Sequence, residues 1–347
     1  DAIAEGTETV ILTLGSNSGA PTGVTVSNNE TNSATGNITD NDQALVSIDD
    51  PEAVPEGTNV VFTVSLNADV EGGFTIAYSS ISGTAAGDGT DYANNSGSIT
   101  FTGNKDEAHE ITVSTIDDDL LESVENFSIL LGTISGTTAN VVVSGSNNAG
   151  TGVLTDNDNA SISIEDIELT EGSDAVFVVS LSGAVQGGFT IDYASADGTA
   201  TDASGDYQNT NGTLSFIGTD GEKDTITIST TDDALLESTE SFVVNLSNIS
   251  NTLVTDGDNQ ATATINDNDS AELSVSDRSV SEGGNLLFTV ALSGDVQGSF
   301  TIDYASNDVT ASSIGSIDYA ASTGSLSFSG TDGEIKTISI SSTNNNI

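Results

Sequence analysis

Cysteine is absent from the 347 residues of this chain, so disulfide staples and thiolate metal sites are excluded. Histidine occurs once, at His109. A Ser-His-Asp triad could therefore form at most once, and a zinc site would lack its usual nitrogen ligands. Basic side chains are nearly missing: Lys105, Lys223, Arg278 and Lys336 stand against 53 acidic residues, for a formal charge of -49. Nucleic acid and anionic membrane surfaces would be repelled rather than steered in, so neither is expected as a partner. No apolar run approaches the roughly 18 residues of a membrane helix, and no membrane insertion is expected. Methionine and tryptophan are also absent. The chain opens at Asp1 and closes at Ile347 inside its repeat pattern, so we expect a piece of a longer protein, with any secretion signal or anchor beyond it.

Low hydrophobicity with high charge can mark disorder, but here the apolar residues are in register. Phe62, Val64 and Leu66 alternate in VVFTVSL and return as Phe177, Val179 and Leu181, then as Phe288, Val290 and Leu292. A second alternating segment holds Phe74, Ile76 and Tyr78, then Phe189, Ile191 and Tyr193, then Phe300, Ile302 and Tyr304. Such period-two runs, separated by Gly, Asn, Asp and Ser, predict half-buried strands. A Glu-Gly pair recurs at Glu56, Glu171 and Glu282. A spacing of more than a hundred residues is too long for a solenoid unit, so each copy is expected to be a whole domain. About seven short strands per copy and no helical period predict an all-β chain of tandem immunoglobulin-like antiparallel β-sandwiches, arranged as an extended rod. The expected segments are 1–42 (the end of one copy), 43–158 and 159–269 (two complete copies) and 270–347 (the front of another). They follow one another without a flexible linker.

The acids recur in order. The first complete copy has Glu56 in PEGTN, Asp91 in TDY, Asp117, Asp118, Asp119, Glu122 and Glu125 in DDDLLESVE, and Asp156 and Asp158 in DND. The second has Glu171, Asp206, then Asp232, Asp233, Glu237 and Glu240 in DDALLESTE, then Asp267 and Asp269. Two carboxylates about 5 Å apart repel by roughly 3 kcal/mol at an effective dielectric near 20, so a gathered set would rival the stability of a domain unless a cation held it. Hard oxygens in this number suit calcium, which takes about six to eight, better than magnesium, which keeps much of its water.

The series Glu-Gly, Thr/Gly-Asp-Tyr, DDxLLExxE and terminal acidic triplet resembles the Calx-beta domain, known from sodium/calcium exchangers and very large bacterial surface proteins. The resemblance covers essentially the whole chain. It implies calcium sites at the end of each sandwich. The first would use Glu56, Asp91, Asp117, Asp118, Glu122, Glu125, Asp156 and Asp158. The second would use Glu171, Asp206, Asp232, Asp233, Glu237, Glu240, Asp267 and Asp269. The sequence departs from the pattern at the middle of each triplet, where Asn41, Asn157 and Asn268 keep an oxygen but not a charge. Asp119 is replaced by Ala234 in the second complete copy. In the last copy Asn344 and Asn345 stand in place of aspartates, so Glu282 and Asp318 are expected to lack a complete site. The partial first copy keeps Glu5, Glu8, Asp40 and Asp42.

The resulting expectation is a non-enzymatic, calcium-rigidified stalk of a secreted or cell-surface adhesin. Its partners would be calcium ions and neighbouring repeats, with surface or glycan ligands bound by regions outside this chain. Two alternatives stay open: a calcium sensor coupled to an attached module, and cadherin-like adhesion repeats. DNDNA at 156–160 favours the latter, but the accompanying Asp-Arg-Glu is missing, because Asp277-Arg278 is followed by Ser279. A glycosidase carboxylate pair would occur once rather than in every copy. His109 is expected to be a surface strand residue, and Tyr92, Tyr207 and Tyr319 to be packing anchors with solvated hydroxyls.

Overall fold

The computed structural model describes residues 2–26, 32–315 and 317–344. Among these there is no α-helix, and none of the described residues forms a helix long and apolar enough to cross a membrane. The chain divides into two compact units, Asp1–Asn159 and Ala160–Ile347.

The first unit contains β1 (Ile3–Ala4), β2 (Glu8–Thr13), β3 (Ser33–Ile38), β4 (Ala44–Ile48), β5 (Val54–Pro55), β6 (Val60–Leu66), β7 (Asp69–Val70), β8 (Phe74–Ser82), β9 (Ser96–Phe101), β10 (Ala108–Val113), β11 (Leu120–Leu121), β12 (Glu125–Ser135), β13 (Val141–Val143) and β14 (Ala149–Thr155). One sheet has the order β10-β6-β4-β13 and the other β5-β14-β12-β8-β9. The alternation decides which side chains enter the space between them: along β6, Val60, Phe62, Val64 and Leu66 are buried while Val61 faces out. Phe127 of β12 sits at the centre. Phe62 meets it edge-on at 5.9 Å and Tyr92 stacks on it at 4.2 Å.

Seven long strands form this sandwich, and their mutual pairings are antiparallel. Two short edge strands depart from the antiparallel expectation. β13 runs parallel to β4, and β5 runs parallel to β14. The second departure positions the acids. After β4 the chain crosses to the other sheet and lays Val54 and Pro55 beside Leu154 and Thr155. Residues a hundred positions apart thereby come to the same end of the sandwich.

The second unit repeats the plan with β15 (Ser161–Ile164), β16 (Ile167–Thr170), β17 (Asp174–Ser182), β18 (Ala184–Val185), β19 (Phe189–Asp197), β20 (Asn211–Phe216), β21 (Lys223–Ser229), β22 (Leu235–Leu236), β23 (Glu240–Ser247), β24 (Thr255–Asp258) and β25 (Gln260–Asn266). Its sheets are β21-β17-β15-β24 and β16-β25-β23-β19-β20. β16 lies parallel to β25, as β5 does to β14. The last copy comprises β26 (Glu272–Val275), β27 (Asn285–Ser293), β28 (Asp295–Val296), β29 (Phe300–Ala305), β30 (Thr323–Phe328) and β31 (Ile335–Ser341). It has a β26-β27-β31 sheet and a β29-β30 hairpin, with no counterpart of β23 or β25 among the described residues. Between them lies a cleft of about 740 Å³ walled by Phe288, Val290, Ile302, Tyr304, Leu326 and Ile338. The partial first copy is the converse: β2 and β3 pair with Glu8 opposite Ile38, as Glu125 is opposite Leu154 and Glu240 opposite Ile265.

Candidate metal centre

Each Glu-Gly pair is a turn that only glycine can make. Gly57 and Gly172 have φ of +71° and +73°, and a Cβ on either would lie within 2.8 Å and 2.5 Å of the Cβ of Asp117 and Asp232. The turn is pinned from both sides. Glu56 N–H donates to Thr155 O at 3.0 Å and Glu171 N–H to Asn266 O at 3.0 Å, while Gly57 and Gly172 donate to the carbonyls of Ile116 and Thr231. The first acid of the series is thus tied to the end of the last strand and to the loop that begins the DDxLLExxE run.

The first aspartate of the terminal triplet is a clamp. Asp156 Oδ2 accepts from Glu122 N–H at 2.8 Å and its Oδ1 from Asp158 N–H at 2.8 Å. Asp267 does the same with Glu237 and Asp269. Asp40 does it with Glu5 and Asp42 in the partial copy. Three occurrences show that this geometry needs only the strand pair and the two loops at its end.

Asp91 and Asp206 are placed by the tyrosine that follows. Tyr92 and Tyr207 are buried and stack on Phe127 and Phe242 at 4.2 Å in both copies. The Asp91 and Asp206 carbonyls accept from Ile116 and Thr231 N–H, and one carboxylate oxygen of each accepts from the loop amide of Ala86 or Thr201. The tyrosines anchor the loop as expected, but their hydroxyls meet protein. Tyr92 Oη lies 3.3 Å from Ser82 Oγ, and Tyr207 and Tyr319 donate to Asp197 and Asp308 at 2.7 Å and 2.6 Å. Burial between two strands left them no solvent-facing edge.

These anchors gather two triads per complete copy, each with one oxygen of every member within 4.8 Å of the others: Glu56, Asp156 and Asp158, and Asp91, Glu122 and Glu125. The second complete copy repeats both, as Glu171, Asp267 and Asp269, and as Asp206, Glu237 and Glu240. The remaining candidates stand beside the triads rather than in them. Asp117 Oδ1 accepts from Asn157 Nδ2 at 2.9 Å and Asp232 Oδ1 from Asn268 Nδ2 at 3.0 Å. Asp118 and Asp233 each accept the amide two residues on, at Leu120 and Leu235. The asparagine of the triplet therefore uses its amide as a donor, and its backbone N–H points to Glu56 or Glu171. Its recurrence in both copies was visible in the sequence; its role as a tie was not.

The electrostatics are those of crowded like charges. Burial, with the charges of Asp156 and Asp118, pushes Glu56 up to about 7. Burial, with Asp91 and Glu122, raises Glu125 to about 7. Burial, with Glu240, Asp206, Asp233 and Glu171, raises Glu237 to about 7. Asp158, Glu171 and Glu240 are raised for the same reasons. Asp158 Oδ2 and Asp269 Oδ2 are buried without a hydrogen-bond partner, at the same position in each copy. A buried carboxylate oxygen with no donor is unfavourable unless a cation meets it, so the donor set fits a hard divalent ion.

Not every repeated acid belongs here. Glu107 and Glu222 accept backbone N–H groups across their own hairpins, at Thr102 and Gly103 and at Ile217 and Gly218. Burial opposes ionisation of Glu107, but these bonds and His109 hold it down at about 2. His109 is on β10, as predicted, and bonds Glu107 at 2.9 Å. In the last copy Asp318 accepts from Ser312 N–H at 2.9 Å, like its counterparts, yet no acidic triad forms there among the described residues. Asn344 lies against Gly283, and Asn345 falls outside the described residues.

The Calx-beta domain family model matches three times, over residues 39–166, 155–269 and 270–347. The chain belongs to the Calx-beta domain family. No curated protein matches. Among solved structures, these Calx-beta copies are similar to CBD12 from CALX1.2, at 19% identity and a TM-score of 0.30 over 64% of this chain and 100% of that one. They are also similar to the calcium binding domain CBD12 of CALX1.1, at 18% identity and a TM-score of 0.30 over 63% of this chain and 98% of that one. The apo-form Calx CBD1 domain aligns at 22% identity and a TM-score of 0.30, over 33% of this chain and 98% of its own.

Proposed function

We propose that each complete Calx-beta copy binds calcium through its two carboxylate triads, and that the chain is a stalk segment of a large secreted or cell-surface adhesin whose junctions the ion stiffens. The observation that carries the calcium reading is the repeated buried oxygen of Asp158 and Asp269, set within a triad that nothing basic neutralises. Asp117 and Asp232, bonded by Asn157 and Asn268, and Asp118 and Asp233, bonded by the loop amides of Leu120 and Leu235, are the neighbouring carboxylates that would supply further oxygens. Copies that follow one another within one or two residues, together with the charge of -49, support a spacer exposed to an outside medium rather than a catalytic body. Family membership supports a binding role as well.

Isothermal titration of the whole chain with calcium tests the site, and small-angle scattering with calcium and with chelator tests the stalk. Heat of binding with a narrower, longer distance distribution in calcium supports both readings. Binding with superimposable scattering profiles would leave calcium sites but remove the stiffening. The sensor reading is separated by the midpoint: near micromolar favours sensing, and near millimolar favours a structural role outside the cell.

A further inference from the structure

Two junctions between copies lie inside the compact units, and they share one contact. In the second unit β22 pairs in parallel with β28, with Leu235 opposite Asp295 and Leu236 opposite Val296. Gln297 N–H then donates to Leu236 O at 2.8 Å. In the first unit β1 pairs in parallel with β7, with Ile3 opposite Asp69 and Ala4 opposite Val70, and Glu71 N–H donates to Ala4 O at 3.0 Å. The donor residue is followed in sequence by Gly in both cases, and the acceptor residue directly precedes Glu237 or Glu5. The backbone of the later copy is thus docked against the acidic run of the earlier one, in the same register both times.

This docking aims one side chain at the acids. Gln297 Nε2 lies 2.8 Å from Glu237 Oε1 and 3.4 Å from Glu240 Oε1, two members of a triad whose third is Asp206. At the other junction the side chain is a carboxylate, Glu71, and it is among the charges that bear on Glu5. We infer that Gln297, the residue after the short junction strand, is a calcium ligand supplied by the last copy to the Asp206, Glu237 and Glu240 triad of the copy before it, so that a bound ion ties the two copies together. This rests on the calcium reading above. Gln297 can bridge Glu237 and Glu240 through its N–H₂ group when no cation is bound, and can turn its amide over to present Oε1 when one is. The Glu71 side chain has no donor and faces a partial copy in which no acidic triad forms among the described residues, so its junction is the comparison. The Gln297 junction is held in either state and more tightly with calcium bound.

The amides of Gln297 and Glu71 report docking directly, because each donates to the preceding copy. Hydrogen exchange of the whole chain, in chelator and in calcium, should show the Gln297 amide protected in both conditions but more strongly in calcium, and the Glu71 amide unchanged between them. Q297E should make its junction calcium-dependent, and Q297A should weaken calcium binding at one site by about tenfold in a titration. Calcium binding of unchanged affinity in Q297A, or a Gln297 amide whose protection is indifferent to calcium, overturns the shared-ligand inference while leaving the calcium reading intact. No calcium binding by the unaltered chain overturns both.

Discussion

Apart from β16, the second complete copy and the last copy carry the same strands up to Tyr207 and Tyr319, yet only the former closes. Phe177 and Val179 are fully buried and Ile191 is 1% exposed, whereas the matching Ile302 is 39% exposed and Phe288 only half-buried. The difference is β23 and β25, which extend the sheet of β19 and bring Phe242 against Phe177 of β17, and which have no described equivalent beside β29 and β27. What survives without them is local. The Tyr319–Asp308 bond, the Asp318 loop bond and the clip of Glu334 on Ser329 N–H match those of Tyr207, Asp206 and Glu222. What does not survive is the acidic triad. Hairpins and loop anchors are properties of short stretches, whereas each triad draws its acids from loops at the ends of several strands.

Calcium should separate the two copies most. At an ion concentration a hundredfold above the dissociation constant, each occupied site should stabilise its copy by about 2.7 kcal/mol. Thermal melts should therefore shift upward for the complete copies, while exchange in β30 of the last copy stays unchanged; an equal gain in both would break the contrast. Glycine substitution should be next in size. G172A places a Cβ against Asp232 at a left-handed φ, and should destabilise by more than about 1 kcal/mol and abolish the site. G283A, whose nearest neighbour would be Asn344 Cβ at 3.2 Å, should be milder. Urea melts of the two variants give the comparison, and equal losses would mean that the Asp232 contact is immaterial.

The pH dependence follows from the raised carboxyls. Glu56, Glu125 and Glu237 keep their protons in the folded chain up to about 7, while in the unfolded chain they release them near 4.3. The folded state binds more protons between these values, so in chelator stability should fall as pH rises from about 4 to 7. In calcium the trend should reverse, because the ion competes with those protons. Melts at pH 5 and 7.5 in both media check the sign, and the last copy should contribute least. The smallest effect should come from Y207F and Y319F. Each removes one hydrogen bond to an aspartate and should lower stability by about 1 kcal/mol, similarly in the complete and the open copy. A much larger loss in Y207F would mean that the bond is not local.

The sequence by itself determined the all-β class, the repeat, the inward side chains and the identity of the acids, because strand alternation and turn glycines act over a few residues. Phe62, Val64 and Leu66 enter the core for that reason. Only the tertiary structure decided that the acids divide into two triads, that Asp117 and Asp118 stand outside them, and that the side-chain amides of Asn157 and Asn268 tie down Asp117 and Asp232. Those outcomes depend on β5 crossing sheets to lie parallel with β14, and β16 with β25. Pairings between residues a hundred positions apart leave no mark in local spacing, and they set which carboxylates meet.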